Sequence, residues 1–125
     1  MREILFRGKR KDNGEWLQGD LRHWNSGEVG IHCDILHRTI KVDPETVGQF
    51  TGLVDKNDTR IFEGDVVRYG NRTGYVIFEN GCFCVQDSMS QHHPAIDMVM
   101  FQWDVTVIGN IHDNPELLKG VEGNG

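Results

Sequence analysis

A chain of 125 residues, 38% hydrophobic and 26% charged, amounts to one globular domain; it leaves no room for separate cofactor and substrate domains and reads as neither disordered nor membrane-spanning. Its net charge of −6 is uneven: residues 1–72 hold twelve basic and twelve acidic side chains, whereas residues 73–125 set Lys119 alone against seven acids. An acidic half repels phosphate backbones and disfavours a protein that coats nucleic acid.

The 15 glycines set against 3 prolines predict many tight turns between short strands. In the first eleven residues Arg2, Arg7, Lys9, Arg10 and Lys11 face only Glu3. This run reads first as a solvated edge strand, and more sharply as a basic patch for the acidic half of a neighbouring subunit. Asn13-Gly14 predicts a type I′ turn, which would set Phe6 opposite Leu21, Ile4 opposite His23, Arg7 opposite Asp20 and Lys11 against Trp16. Asn25-Ser26-Gly27 reads as a turn, and 29–33 and 39–42 as strands. Asp43-Pro44-Glu45 is a capped helix start, giving one helical turn over 44–48 that Gly48 stops. Asp55 to Thr59 begins like a calcium loop, but Arg60 stands at the glycine position and Val66 at the final glutamate, so a hairpin loop is expected.

A strand at 65–69, a glycine-rich turn at 70–74 and a strand at 75–79 lead to Asn80-Gly81 and a strand at 82–85. A two-residue turn there places Phe78 opposite Phe83 and Val76 opposite Val85 as one core face; Tyr75, Ile77, Glu79, Cys82 and Cys84 share the other. Residues 88–94 read as an exposed loop, and Phe101, Trp103, Val105 and Val107 alternate as a further strand. Asn114-Pro115-Glu116 repeats the capped start and predicts a helical turn at 115–119, with a frayed tail over 119–125. The expected fold is mainly β: antiparallel hairpins forming small barrel-like or sandwich sheets, with two short helical turns. It is a single domain with an N-terminal β part at 1–54 and a small-barrel-like part at 55–118.

Cys82, Cys84, His92 and His93 put four zinc-capable ligands within twelve residues. One-residue spacing on a strand is wrong for a zinc knuckle, and it also separates the cysteines by about 6.5–7 Å along the strand, against a disulfide. The two cysteines therefore read as small buried hydrophobes, and no metal or cofactor is expected. Cys33 with His32 or His37 imitates a thiol–imidazole pair only if folding brings them into contact. Acyl-transfer, phosphate-loop and dinucleotide motifs are missing from the sequence, so the expectation is a protein that is not an enzyme. The chain begins without an apolar leader and holds no run near the ~20 residues of a membrane span, so a cytoplasmic protein with reduced thiols is expected.

The chain resembles the YopX family, small proteins encoded mainly by bacteriophages and prophages. The resemblance starts with Met1-Arg2-Glu3-Ile4 and Phe6-Arg7-Gly8-Lys9-Arg10, and includes Asn13-Gly14-Glu15-Trp16 and Gly19-Asp20-Leu21. It continues through VDPETVGQFTGL at 42–53, Asp55-Lys56-Asn57 and Ile61-Phe62-Glu63-Gly64-Asp65-Val66-Val67, and closes with VIGNIHDNPELL at 107–118. Two positions depart from it: Asp58 stands where glycine is usual, which demands a left-handed aspartate, and His112 stands where an aromatic is common. The resemblance implies a largely β, phage-derived protein of the bacterial cytoplasm, with Gly52, Gly64, Asp65, Gly109, Asn110 and Pro115 as structural motif residues. The expected role is non-enzymatic, binding a host or phage protein or assembling with itself. The alternatives are a nucleic-acid-binding module using Trp16, Arg68, Tyr69 and Arg72, and a thiol-dependent enzyme.

Overall fold

The computed structural model of the chain describes residues 3–87 and 92–118. The tail expected over 119–125 and residues 88–91 of the expected loop lie outside the described residues. The chain divides into two compact units, Met1–Gly52 and Leu53–Gly125.

The first unit carries β1 (Phe6–Lys9), β2 (Trp16–His23), β3 (Val29–Cys33), β4 (Arg38–Val42), a 3-10 turn at Pro44–Thr46 and the start of β5 (Gly48–Val54). The hydrogen-bonded order is β4-β3-β2-β1-β5, and β6 (Arg60–Phe62) follows β5. Val29, Ile31 and Val42 form the buried centre, with Phe6, Leu17, Leu21 and Val47 packed against it. The turn at Pro44 starts as its grammar dictates, because Asp43 accepts a hydrogen bond from the Glu45 N–H at 3.1 Å.

The first hairpin differs from expectation by two residues: Phe6 pairs with Gly19, Arg7 with Gln18 and Lys9 with Trp16. A type I′ turn needs two left-handed residues, and only Gly14 adopts one here, at φ 75°. A longer loop forms instead. It is closed by Arg10 N–H donating to Glu15 O at 2.8 Å and pinned by the Arg10–Asp12 ion pair at 2.7 Å. A two-residue shift keeps every side chain on its face, so Phe6, Leu17 and Leu21 still point together. Ile4, expected on that face, precedes the strand and is 67% exposed.

The second unit carries β7 (Asp65–Tyr69), β8 (Arg72–Glu79), β9 (Cys82–Asp87), α1 (Ile96–Gln102), β10 (Val105–Asn110) and a 3-10 turn at Pro115–Leu118. Its antiparallel sheet runs β10-β7-β8-β9. Neither sheet closes into a barrel, so the barrel-like expectation gives way to two open antiparallel sheets. The turn expected over 70–74 tightens to two residues, Tyr69 pairing with Arg72, because Gly70 takes a left-handed φ of 58°.

The Asn80-Gly81 turn forms as read, with φ of 52° and 82°, and it sets Phe78 opposite Phe83 and Val76 opposite Val85. One member of the expected core face escapes burial. Phe83 is 7% exposed, but Phe78, next to the turn and beyond the core cluster, is 54% exposed. The strand expected over 101–107 is replaced at its start by helix α1. Ile96 and Val99 point into the core one helical turn apart, whereas Phe101, which suggested alternation, is 90% exposed.

Asp58 holds the left-handed position in the loop between β5 and β6, at φ 64°. Asp58→Gly is therefore expected to stabilise the protein by about 0.5–1 kcal/mol, since glycine removes the Cβ penalty at some cost in unfolded-chain entropy. A urea midpoint that does not rise would contradict this.

Candidate binding face

Antiparallel register decides which side chains of the first unit share a side. The pairs Arg7–Gln18, Lys9–Trp16, Asp20–His32, Arg22–Gly30, Gly30–Lys41 and His32–Thr39 put these residues on one face, opposite the apolar centre. Four strand-borne cations, Arg7, Lys9, Arg22 and Lys41, thus stand against Asp20. The unit as a whole is neutral, with eight basic and eight acidic side chains; most of its acids lie in the connecting loops.

Two indoles complete the face. The Arg7 guanidinium lies 4.8 Å and the Lys9 ammonium 5.7 Å from the Trp16 ring centre, replacing the expected Lys11 contact. Trp24, just past β2, folds back over Gly30: a Cβ there would come within 2.8 Å of its Cη2. Lys41 sits 6.0 Å from that ring and 2.9 Å from Glu28, whose carboxyl the lysine holds below its usual range. An open groove of about 330 Å³ borders the face, lined by Glu3, Gln18, Asp20, His32 and Asp34 among others. In it His32 Nδ1 lies 3.1 Å from Thr39 Oγ1, and its Nε2 lies 3.6 Å from Asp34. Strand alternation points Cys33 to the opposite face from His32, and His37 sits in the β3–β4 turn at φ 56°.

The zinc candidates divide. Cys82 and Cys84 converge, with their Sγ atoms 3.3 Å apart. His93 Nδ1 lies 3.0 Å from Glu79 Oε2. Among the described residues no group of three or more His, Cys, Asp or Glu side chains could hold a metal ion.

The aromatic–basic set proposed for nucleic acid is not brought together as read. Tyr69 is 3% exposed, donates its O–H to Asp87 at 2.8 Å and stacks obliquely on Trp103 at 5.8 Å, so it offers no free ring. Burial and then Asp87 raise the phenol well above its ordinary range. Arg72 lies 3.7 Å from Asp87, while Arg68 is exposed. Trp24, which sequence patterning did not single out, is the ring that joins Trp16 in the first unit; its only local signal is its position at the end of a strand.

The structural motif residues sit at chain crossings of the second unit and at its approach. Gly52 and Gly64 are left-handed at φ 89° and 93°. Gly64 donates to Val76 O and accepts from Ile111 N–H, both at 2.9 Å. Buried Asp65 accepts from Phe62 N–H at 2.7 Å. Gly109 follows a bulge in β10, and a Cβ there would meet Asn114 Oδ1 at 2.5 Å. Asn110 Oδ1 accepts from the N–H groups of His112 and Asp113 at 3.0 and 2.9 Å, and Pro115 opens the last helical turn. Asp55, at the start of the calcium-like loop, accepts from Asn57, Thr59 and Val107 N–H at 2.8–2.9 Å. Its carboxylate is thus spent on backbone donors.

No curated protein matches the chain. The family model described as YopX protein matches residues 5–119, which includes both crossing segments, 42–67 and 107–118. The chain therefore belongs to the YopX family.

Proposed function

We propose that this YopX protein is a non-enzymatic accessory module of a phage or prophage, acting in the bacterial cytoplasm. It binds an acidic protein surface through the cationic face of its first sheet, and a second copy of the chain is the first candidate partner. The observation that carries this reading is the segregation of Arg7, Lys9, Arg22 and Lys41 onto one strand face of a neutral unit. The other unit supplies complementary charge, with eleven acidic and five basic side chains over residues 53–125. Complementary surfaces set register and association rate, and both respond to salt.

Light scattering at low ionic strength should give an oligomer that dissociates toward about 1 M salt, where the screening length falls to roughly 3 Å. The double variant Lys9→Glu/Arg22→Glu should weaken association at least about tenfold. A monomeric mass at low salt overturns self-assembly.

The pair Trp16 and Trp24 favours a second reading, single-stranded nucleic acid stacked on the indoles with phosphates on the cations. Eight residues separate the two rings along and just past β2, or about 26 Å, room for several nucleotides. Salt-dependent retention on single-stranded DNA, lost in Trp24→Ala, would select it over protein binding.

A further inference from the structure

We propose that Cys82 and Cys84 form a reversible dithiol–disulfide pair that oxidation by a hydroperoxide closes within strand β9. The Cys-Phe-Cys spacing puts both thiols on one face, and the Sγ atoms already lie 3.3 Å apart with no bond between them. Bonding requires a further approach of about 1.3 Å. Two strand residues span roughly 6.6 Å between Cα atoms, at the upper edge of the range a disulfide bridges, so closure must pucker the strand. Strain of this kind makes a disulfide easily reduced, which suits a switch rather than a permanent staple. β9 is the last strand of its sheet, so beyond β8 it is held only by a short bridge to residues 94–95, and a pucker need break no second full ladder.

The two thiols differ in the way the chemistry needs. Cys82 is exposed and meets the oxidant; Cys84 is buried beneath it and resolves. Burial, and then the contact with Cys82, push the Cys84 thiol up to about 11, so the exposed Cys82 reacts first and Cys84 must give up its proton as it attacks. In the first step the Cys82 sulfur attacks the hydroperoxide, the O–O bond breaks, and the Cys82 proton leaves with the departing oxygen as an alcohol, or as water from hydrogen peroxide, while Cys82 becomes a sulfenic acid. In the second the Cys84 sulfur displaces the sulfenic hydroxyl, which leaves with the Cys84 proton as water. In total two thiols and one hydroperoxide give one disulfide, with two electrons passing from sulfur to oxygen; hydrogen peroxide yields two waters.

The pucker has a built-in reporter. Cys84 forms a β-bridge to Ala95, and Val85 N–H donates to Pro94 O at 3.0 Å. This clasp holds the entry to α1, whose Ile96 and Val99 complete the core.

The test treats the full chain with hydrogen peroxide and follows intact mass, alkylation and amide exchange. The expected result is a loss of about 2 Da, a fall in iodoacetamide uptake from three thiols to one, full recovery with dithiothreitol, and at least about tenfold faster exchange at the Val85 amide. Cys33→Ser should keep the response. Cys82→Ser, at an exposed position that does not endanger folding, should abolish it. A gain of about 16 or 32 Da located on Cys82 or Cys84, as distinct from sulfoxide on any of the four methionines, a cross-linked dimer, a mass loss that survives in Cys82→Ser, or an unchanged Val85 amide would each overturn the proposal.

Discussion

Phe83→Ala is expected to cost about 3–5 kcal/mol of folding stability, the range for emptying a buried aromatic site. Phe83 belongs to the buried core cluster of the second unit, together with Val76, Val85, Ile96 and Val99. These neighbours come from two strands and a helix, so they cannot all collapse into the void. Its cross-strand partner provides an internal control. Phe78 meets it edge-on at 5.0 Å but is half exposed, so Phe78→Ala should cost only about 1–2 kcal/mol, from partial burial and the lost aromatic contact. Urea unfolding of both variants at constant m separates the two values. A loss below about 1 kcal/mol for Phe83→Ala would show that this face is not core. Against a total stability of ~5–15 kcal/mol, the larger loss brings the protein near its unfolding threshold at moderate temperature.

Asp55→Ala should cost about 3–4 kcal/mol. The side chain satisfies three backbone donors, and the one from Val107 is 52 positions away in the chain. Hydrogen bonds to a charged acceptor are worth roughly 1.5–3 kcal/mol each, but Asn57 and Thr59 lie near solvent and recover part of that from water. Burial pushes the Asp55 carboxyl up, while the donors of Val107, Thr59 and Asn57 outweigh it and hold the group below its usual 3.8. A carboxyl whose folded value is depressed contributes stability that is fully present above the unfolded value, near ~3.9, and is lost as pH falls through the folded value. The wild-type protein should therefore lose this contribution only below about pH 4. Asp55→Asn, which keeps one acceptor and no charge, should be less stable at pH 7 and show a shallower acid slope. Equal acid slopes in the two proteins would remove Asp55 from the account.

The two Asn-Gly turns show where local chemistry suffices. At Asn80-Gly81 both residues are left-handed and the strands continue straight out of the turn, so the register follows from two residues. At Asn13-Gly14 the same dipeptide sits in a longer loop, because the Arg10–Asp12 pair and the Glu15 carbonyl select another closure. Competition of that kind is invisible to a dipeptide. Helix α1 is concealed for a related reason: seven residues make only two turns, and its inward pair, Ile96 and Val99, is too short a signal to outweigh the alternation of Phe101, Trp103, Val105 and Val107.

The β character of the chain, most of its turns, both short helical turns, the left-handed Asp58 and family membership are written in residue types and spacings, because each depends on a few neighbouring backbone angles. Tertiary structure alone decides that Tyr69 turns inward to Asp87, that Phe78 stays outside while Phe83 is covered, and that the barrel-like expectation resolves into two open sheets. It likewise gathers Arg7, Lys9, Arg22, Lys41 and two indoles on one face. These outcomes depend on which distant segment covers which face. Alternation offers every strand two equivalent sides, and only packing against residues far along the chain chooses between them.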